Sequence, residues 1–429
     1  MNLKLSKIEF ECYKKLTELD NAFFYGWFML GICYEDGIGT EANDTKAFEC
    51  YKKATEMNDK FGIAWNSLAD CYYNGKGTEV NYEEAFSCYK KAINLDYNYA
   101  SAWNSLGTCY AYGRGTKKDK TKAFECYKKA TKIDSNNALA WYNLGLSYEE
   151  TQDLEKEKNA FKCYKHATEV DSNFGYAWNS LGICFALGIG IEKNDSKAFQ
   201  CYKKATECEI SPAITFYNYG CCLFNGIGFE KDYENAFINF QKSVDIDNTI
   251  SKSLFILAYC YDHGYGIKQD SKKAFEYYLK AAEADDCDAE AWLTLAECYT
   301  YGNGTRESSK KALECYKKAT EVDENSAKAW YELGRRYGCD SEELAFECYK
   351  KATKLDDNFA EAWNELGKCY EDGKGTEKNE DRAFECYKKA TEVNPNYKWA
   401  WGNLGNCYLE GIGTKKNKIK GLFYLGKEL

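Results

Sequence analysis

The stretch AWNSLGTCYAYGRGTKKDKTKAFECYKKA, from Ala102 to Ala130, decides the fold. Its first half places a small set of mostly apolar residues three or four positions apart, on one face of a helix that we call helix A: Trp103, Leu106, Gly107 and Tyr110. Gly113 and Gly115 predict the end of that helix, because glycine readily adopts the left-handed backbone conformation common at helix ends.

A second helix, which we call helix B, is predicted directly after this turn. Asp119 can cap its N-terminus, and the helical spacing then recurs at Ala123, Cys126, Tyr127 and Ala130. One hairpin of this size cannot bury its own apolar face, so copies of it must stack against one another. The stretch therefore predicts an all-α repeat protein.

The rest of the 429-residue chain repeats this hairpin. The tryptophan position of helix A recurs mostly every 38 residues, with one step of 37 and one of 33: Trp27, Trp65, Trp103, Trp141, Trp178, Phe216, Leu254, Trp292, Trp330, Trp363 and Trp401. We therefore predict one repeat solenoid over 1–429, with an opening helix B in 1–20, eleven hairpins starting in 21–414, and a weakened last helix B in 415–429. Pro212 and Pro395, the only prolines, fall between hairpins.

A capping residue supports this register at the start of nearly every helix B. The predicted N-caps are Asn43, Asn81, Asp119, Asn194, Asp232, Asp270, Ser308, Ser341 and Asn379. Hairpin four has Lys156 at this position, so we expect its helix B to begin earlier, near Asp153.

The motifs resemble the Sel1-like subtype of the tetratricopeptide repeat superfamily over essentially the whole chain. The resemblance depends on the Leu-Gly pair of helix A, the alanines of helix B, and nine Gly-x-Gly turns: Gly37/Gly39, Gly75/Gly77, Gly113/Gly115, Gly188/Gly190, Gly226/Gly228, Gly264/Gly266, Gly302/Gly304, Gly373/Gly375 and Gly411/Gly413. Hairpins four and nine lack the turn. The resemblance implies a right-handed superhelical solenoid whose helices A line a concave groove.

Composition excludes several classes of function. The formal net charge of −10 argues against a nucleic-acid surface, and no apolar run is long enough to span a membrane. The chain has 22 cysteines, mostly at two repeat positions beside the apolar stripe. We interpret them as reduced, core-packing thiols in the cytoplasm. With two histidines and no recurring catalytic or metal-ligating pattern, we predict no enzyme, cofactor or metal.

The family's groove positions, carried over to this chain, give three candidate regions. Asn66, Asn104 and Asn179 follow the tryptophan position, where an amide can both donate to and accept from a peptide backbone. The alternative is that they are polar filler on a wet surface.

The second region is in hairpins six and seven, where the same positions are apolar. Tyr217, Cys221, Phe255 and Tyr259 would form an apolar cluster of the kind that marks a partner site. The alternative is that these are diverged hairpins that repack internally.

The third region is basic, with Arg335, Arg336 and Lys368 as candidates for holding an acidic tail. The clamp for chaperone tails in some tetratricopeptide domains needs a lysine directly after the tryptophan position, and no hairpin has one. We therefore do not predict chaperone tails as ligands.

These observations favour a non-enzymatic scaffold that binds a peptide or partner protein in its concave groove. The alternative is a structural subunit of a large assembly, held by its ends and its convex side.

Overall fold

The computed structural model describes residues 3–19, 23–151, 155–338 and 340–428. These residues form 23 α-helices and no named strand. The opening helix B is α1 (Leu3–Leu19). The helices A are α2 (Phe24–Asp36), α4 (Gly62–Asn74), α6 (Ala100–Tyr112), α8 (Ala138–Glu149), α10 (Gly175–Leu187), α12 (Ala213–Asn225), α14 (Ser251–His263), α16 (Ala289–Tyr301), α18 (Ala327–Tyr337), α20 (Ala360–Asp372) and α22 (Lys398–Glu410).

Each helix A is followed by its helix B, so the eleven predicted hairpins and the all-α class are confirmed. The helices B are α3 (Asp44–Met57), α5 (Tyr82–Leu95), α7 (Lys120–Ile133), α9 (Lys156–Val170), α11 (Asp195–Glu207), α13 (Tyr233–Ile246), α15 (Ser271–Glu283), α17 (Ser309–Val322), α19 (Glu342–Leu355), α21 (Glu380–Val393) and α23 (Lys418–Glu428).

The chain forms two compact units. The first unit is Met1–Thr215 with Gly226–Glu230, and the second is Phe216–Asn225 with Lys231–Leu429. Inside each unit the two helices of a hairpin pack along each other, as α6 and α7 do in the first and α20 and α21 in the second. Within a unit, a helix B also contacts the helix A that follows it, as α5 contacts α6 and α19 contacts α20. This stacking gives each unit a continuous core.

The Leu-Gly pair of helix A is explained by the tyrosine of helix B. A Cβ atom added to Gly107 would lie 2.7 Å from Cε1 of Tyr127, far inside van der Waals contact. Glycine therefore gives the ring room to cross close to helix A, although alanine takes this place in hairpins two, seven and eight: Ala69, Ala258 and Ala296. The same contact recurs between Gly367 and Tyr387.

The Gly-x-Gly turns adopt the predicted geometry at all nine sites, with positive φ at both glycines. In hairpin two, Gly75 ends α4 with φ 70° and its N–H donates to the carbonyl of Cys71. Gly77 lies directly on the backbone carbonyl of Asp44, at the start of the preceding helix B, where a Cβ atom would overlap that oxygen. The turn therefore both ends a helix and joins consecutive hairpins.

The capping residues are also confirmed as N-caps. Eight of the nine predicted residues accept a backbone hydrogen bond from the first turn, as Asp119 does from Lys122 N at 3.0 Å. Ser341 is an N-cap whose side chain makes no capping bond. The expectation for hairpin four was wrong, because α9 begins at Lys156 after an uncapped Glu155. Asp153 lies outside the described residues.

The tryptophans hold the connection that precedes each helix A. The Trp65 indole N–H donates to the Asp59 carbonyl at 2.9 Å, and the same bond, six residues back, recurs at Trp103, Trp141, Trp178, Trp330, Trp363 and Trp401. A helix B lysine covers several of these rings. Lys91 Nζ, for example, lies 3.8 Å from the Trp65 ring centroid. These lysine side chains therefore pack on the tryptophan rings and do not only extend into solvent.

The cysteine columns lie in the core, as expected for small apolar side chains. Cys109 is fully buried and Cys126 is 5% exposed, and every cysteine in the described part of the chain is a free thiol. None of the described helices is both long and apolar enough to cross a bilayer.

Candidate functional site

The asparagines predicted to line a groove are buried in the first unit. Asn66, Asn104 and Asn179 are each only 6% exposed. An amide so enclosed offers almost no surface to a peptide, which corrects the expectation that this row is open. Their role in partner binding remains a prediction.

Two of these amides bond to neighbouring side chains. Asn66 Nδ2 donates to Asp70 Oδ2 at 2.9 Å, and its Oδ1 is buried without a hydrogen-bond partner. Asn104 Oδ1 accepts from Nδ2 of Asn143, in the next helix A, at 2.9 Å. The Asn104 bond therefore links successive hairpins.

A row of tyrosine–carboxylate bonds lies beside the amides. Tyr51 donates to Glu35 Oε2 at 2.7 Å and Tyr89 donates to Asp70 Oδ1 at 2.6 Å. Burial raises the pKa of Asp70 to about 6, against the opposing bonds from Tyr89 and Asn66. These carboxylates therefore already accept hydrogen bonds from tyrosines of the same hairpin.

Hairpins six and seven differ at the same positions. Tyr217, Cys221, Phe255 and Tyr259 are all partly exposed in the second unit. The Tyr217 ring lies 6.1 Å from Phe240 and the Phe255 ring 5.3 Å from Tyr278, both on helices B. Their inner edges are therefore held by the core while the outer edges reach solvent.

Three further aromatic side chains extend this region, and sequence reasoning did not assign them to it: Phe224, His263 and Tyr265. Phe224 lies 6.3 Å from Tyr259 and 5.2 Å from Tyr265 between ring centroids, and Tyr233 stacks at 4.9 Å on Tyr265. His263 lies 4.1 Å from Tyr259. We define the aromatic surface as Tyr217, Phe224, Phe255, Tyr259, His263 and Tyr265.

His263 is the last residue of α14, and its Nδ1 lies 3.1 Å from the Tyr259 carbonyl. Tyr265 is the middle residue of the turn Gly264–Tyr265–Gly266. An aromatic residue at that position is the sequence signal that could have placed this turn in the cluster.

Two of the three basic candidates are exposed but paired within their own helices. Arg335 Nη1 lies 3.1 Å from Glu332 Oε2, and Lys368 Nζ lies 2.8 Å from Glu365 Oε1. The third, Arg336, is half-buried, and its Nε atom is enclosed without a hydrogen-bond partner. Their role in holding an acidic tail remains a prediction.

The arrangement suits binding through ring faces and apolar edges. Four of the six side chains contact one another: Phe224, Tyr259, His263 and Tyr265. The Tyr217 and Phe255 rings are instead held by helix B rings, Phe240 and Tyr278. Aromatic groups of this kind supply large contact area at a low cost in conformational entropy. The described residues contain no group of histidine, cysteine and carboxylate side chains able to hold a metal ion.

Comparison with known proteins identifies the repeats. The Sel1 repeat matches eight segments that together make up more than half of the chain: 28–59, 66–97, 176–209, 217–248, 251–286, 293–323, 327–357 and 360–394. Tetratricopeptide repeats match 117–152, 138–174 and 386–420. No curated protein sequence matches the chain.

A solved structure shows the same fold. The crystal structure of c5321, described as a protective antigen of uropathogenic Escherichia coli with an SLR fold, has a TM-score of 0.74 at 26% identity, covering 97% of this chain and 85% of that chain. A Sel1 repeat protein from Oxalobacter formigenes has a TM-score of 0.49 at 20% identity, over 69% of this chain and 83% of that one. The hairpin geometry and the matched repeats together show that this chain belongs to the Sel1 repeat family.

Proposed function

We propose that the protein is a non-catalytic scaffold that binds a peptide or partner protein through the aromatic surface. The observation that supports this is the contrast at one repeat position. Asn66 and Asn104 are buried there in the first unit, whereas Tyr217 and Phe255 are partly exposed there in the second. Partly exposed rings that adjoin one another are typical of interaction sites.

The proposed ligand is an extended segment or helix with apolar side chains. Tyr217 and Cys221 lie four residues apart on α12, as Phe255 and Tyr259 do on α14, so each helix presents a pair of neighbouring side chains. A ligand side chain placed between the rings would lose water on several sides without requiring the rings to reorient. Binding of this kind involves no chemical step.

The test uses a random peptide display library screened against the purified chain. The selected peptides are expected to be rich in aliphatic and aromatic residues. Combined substitution of Tyr217, Phe255 and Tyr259 by alanine should weaken their binding by at least about tenfold, because such anchors carry most of an interface's binding energy.

The matched control is Tyr142→Ala. Tyr142 occupies the same repeat position in the first unit and contacts Phe174 and Tyr164, but it lies outside the aromatic surface. This variant should bind the selected peptides as the unaltered chain does. Equal binding by the triple variant, after circular dichroism shows that it is folded, would contradict the proposal, as would a screen that selects no peptide.

The proposed setting is the cytoplasm, with protein rather than nucleic acid as the partner. Free thiols throughout the described core suit a reducing compartment. The net charge of −10 is unfavourable for binding phosphate backbones. Retention of the purified chain on heparin at moderate salt would contradict the proposal that the partner is not a nucleic acid.

A second candidate is a structural subunit of a large assembly. It is favoured by α23, whose outward side chains Ile419, Leu422 and Phe423 are 84%, 57% and 59% exposed. Combined substitution of Ile419 and Leu422 by glutamate should abolish such assembly, as should truncation after Thr414. If the protein is a scaffold that binds peptides through the aromatic surface, the double substitution should leave peptide binding unchanged.

A further inference from the structure

Hairpin nine differs from its neighbours in both its turn and one buried position. Its helix A, α18, ends at Tyr337, and Gly338 follows with a right-handed backbone, φ −53°, instead of the left-handed cap found elsewhere. Since the Gly-x-Gly loop normally lies on the start of the preceding helix B, its loss removes a covering segment next to α17.

Arg336 occupies the position that most helices A give to a buried cysteine. In the adjacent hairpins that residue is Cys298 or Cys369, 6% and 7% exposed. The Nε atom of Arg336 is fully enclosed and has no hydrogen-bond partner. A buried guanidinium donor without a partner is costly, since its lost hydration is not replaced.

A cavity of about 130 Å³ adjoins this side chain. It lies within the second unit, between helices α16, α17 and α18, and its lining is strongly polar: Glu297, Thr300, Tyr301, Tyr316, Glu332, Arg335 and Arg336. Its volume suits a single carboxylate group with part of its chain.

The charges around the cavity leave Arg336 as the one cation without a counter-ion. Glu332 is paired with Arg335 at 3.1 Å. Burial raises the pKa of Glu297, the other carboxyl group in the lining. No described carboxylate lies within ion-pair distance of Arg336.

We infer that this cavity binds a carboxylate group of an acidic peptide, with Arg336 as its counter-ion. The inference rests on the proposed function, in that the ligand is a peptide, but it uses a different surface from the aromatic one. An arginine guanidinium can donate two parallel hydrogen bonds to a carboxylate. The carboxylate comes from the peptide's C-terminus or from an aspartate or glutamate side chain.

The test measures fluorescence anisotropy of three labelled glycine-rich peptides at low salt. One has a free C-terminal carboxylate, one is amidated with an internal glutamate, and one is amidated without any carboxylate. The first or the second should bind saturably, which identifies the source of the carboxylate, and the third should not. Failure of both acidic peptides to bind the unaltered chain would overturn the inference.

The decisive variant is Arg336→Cys, which restores the residue typical of this position. It should weaken binding of the acidic peptide at least tenfold, while the thermal unfolding temperature stays equal or rises. Lys374→Ala, which removes an exposed cation of the next hairpin, should change neither property. Unchanged binding by Arg336→Cys would overturn the inference, as would a clear fall in its unfolding temperature, which would make Arg336 structural.

The test of the Arg336 cavity can fail or succeed independently of the test of the aromatic surface. Peptides selected on the aromatic surface should still bind Arg336→Cys, and the combined Tyr217, Phe255 and Tyr259 alanine variant should still bind the acidic peptide. Loss of acidic-peptide binding in that triple variant would place the ligand on the aromatic surface and overturn the inference.

Discussion

Hairpins two and three, in the first unit, and hairpins six and seven, in the second, use one repeat position in opposite ways. In hairpins two and three it holds Asn66 and Asn104, both enclosed by the fold. In hairpins six and seven it holds Tyr217 and Phe255, whose outer edges reach solvent. The backbone framework is the same, since each hairpin has its Gly-x-Gly turn and its capped helix B.

In these four hairpins the side chain at this position decides whether the surface is closed or open. Asn104 is short and is covered by Asn143 of the neighbouring helix A. Tyr217 and Phe255 fill the same space with their inner parts and project beyond it, whereas Phe28, at this position in hairpin one, is buried. One framework therefore carries a bonded, closed surface in one region and an aromatic, open surface in the other.

The largest expected effect tests whether helix A packs against helix B in the same way in both regions. Gly107→Val and Gly220→Val should each lower the free energy of unfolding by about 3 kcal/mol, because the added carbons overlap the Tyr127 and Phe240 rings. Urea denaturation measures both. A cost at one site only would mean that the two hairpins do not share the same packing.

The next prediction concerns the closed region. Asn104→Ala should cost about 1 to 2 kcal/mol of stability, because the half-buried amide of Asn143 loses its acceptor. In a double-mutant cycle with Asn143→Ala, the two changes should be non-additive by about 1 kcal/mol. Additive costs would show that this bond does not form in solution.

The third prediction is a pH dependence in the closed region. Because burial raises the pKa of Asp70 to about 6 from an ordinary 3.8, the folded chain binds this proton more tightly than the unfolded chain. The resulting stabilisation, about 3 kcal/mol, is present below pH 4 and is lost as the pH rises through 6.

Denaturation of the unaltered chain and of Asp70→Asn from pH 4 to 7 measures this. The stability of the unaltered chain should fall relative to the variant as pH rises. Comparing the two curves removes contributions common to both. Parallel curves would contradict the assignment to Asp70.

The smallest expected effect concerns the lysines on the tryptophans. Lys91→Ala should cost about 0.5 kcal/mol, because Lys91 covers Trp65. Lys204→Ala, at the equivalent place after Trp178, should cost less, since within the described residues no cation lies over that ring and Lys204 faces Glu207 at 3.8 Å. Differential scanning calorimetry compares them, and equal costs would contradict a role for the cation–ring contact.

Features set by residues close in sequence could be predicted, and those set by distant neighbours could not. The Gly-x-Gly turns and the caps depend on a few adjacent residues, so the sequence pattern identified them. The burial of Asn104 depends on Asn143, 39 residues away. The open side of Arg336 depends on the absence of a loop, and the aromatic surface depends on Tyr265 folding back onto Phe224. Such contacts follow from how hairpins stack.

The most direct test of the contrast between closed and open surfaces is hydroxyl-radical footprinting of the free chain and of the chain with a selected peptide. Tyr217, Phe255 and Tyr259 should be oxidised in the free chain and protected by the peptide, whereas the buried rings of Tyr51 and Tyr89 should resist oxidation in both. Oxidation of Tyr217, Phe255 and Tyr259 as slow as that of Tyr89 in the free chain would contradict the account.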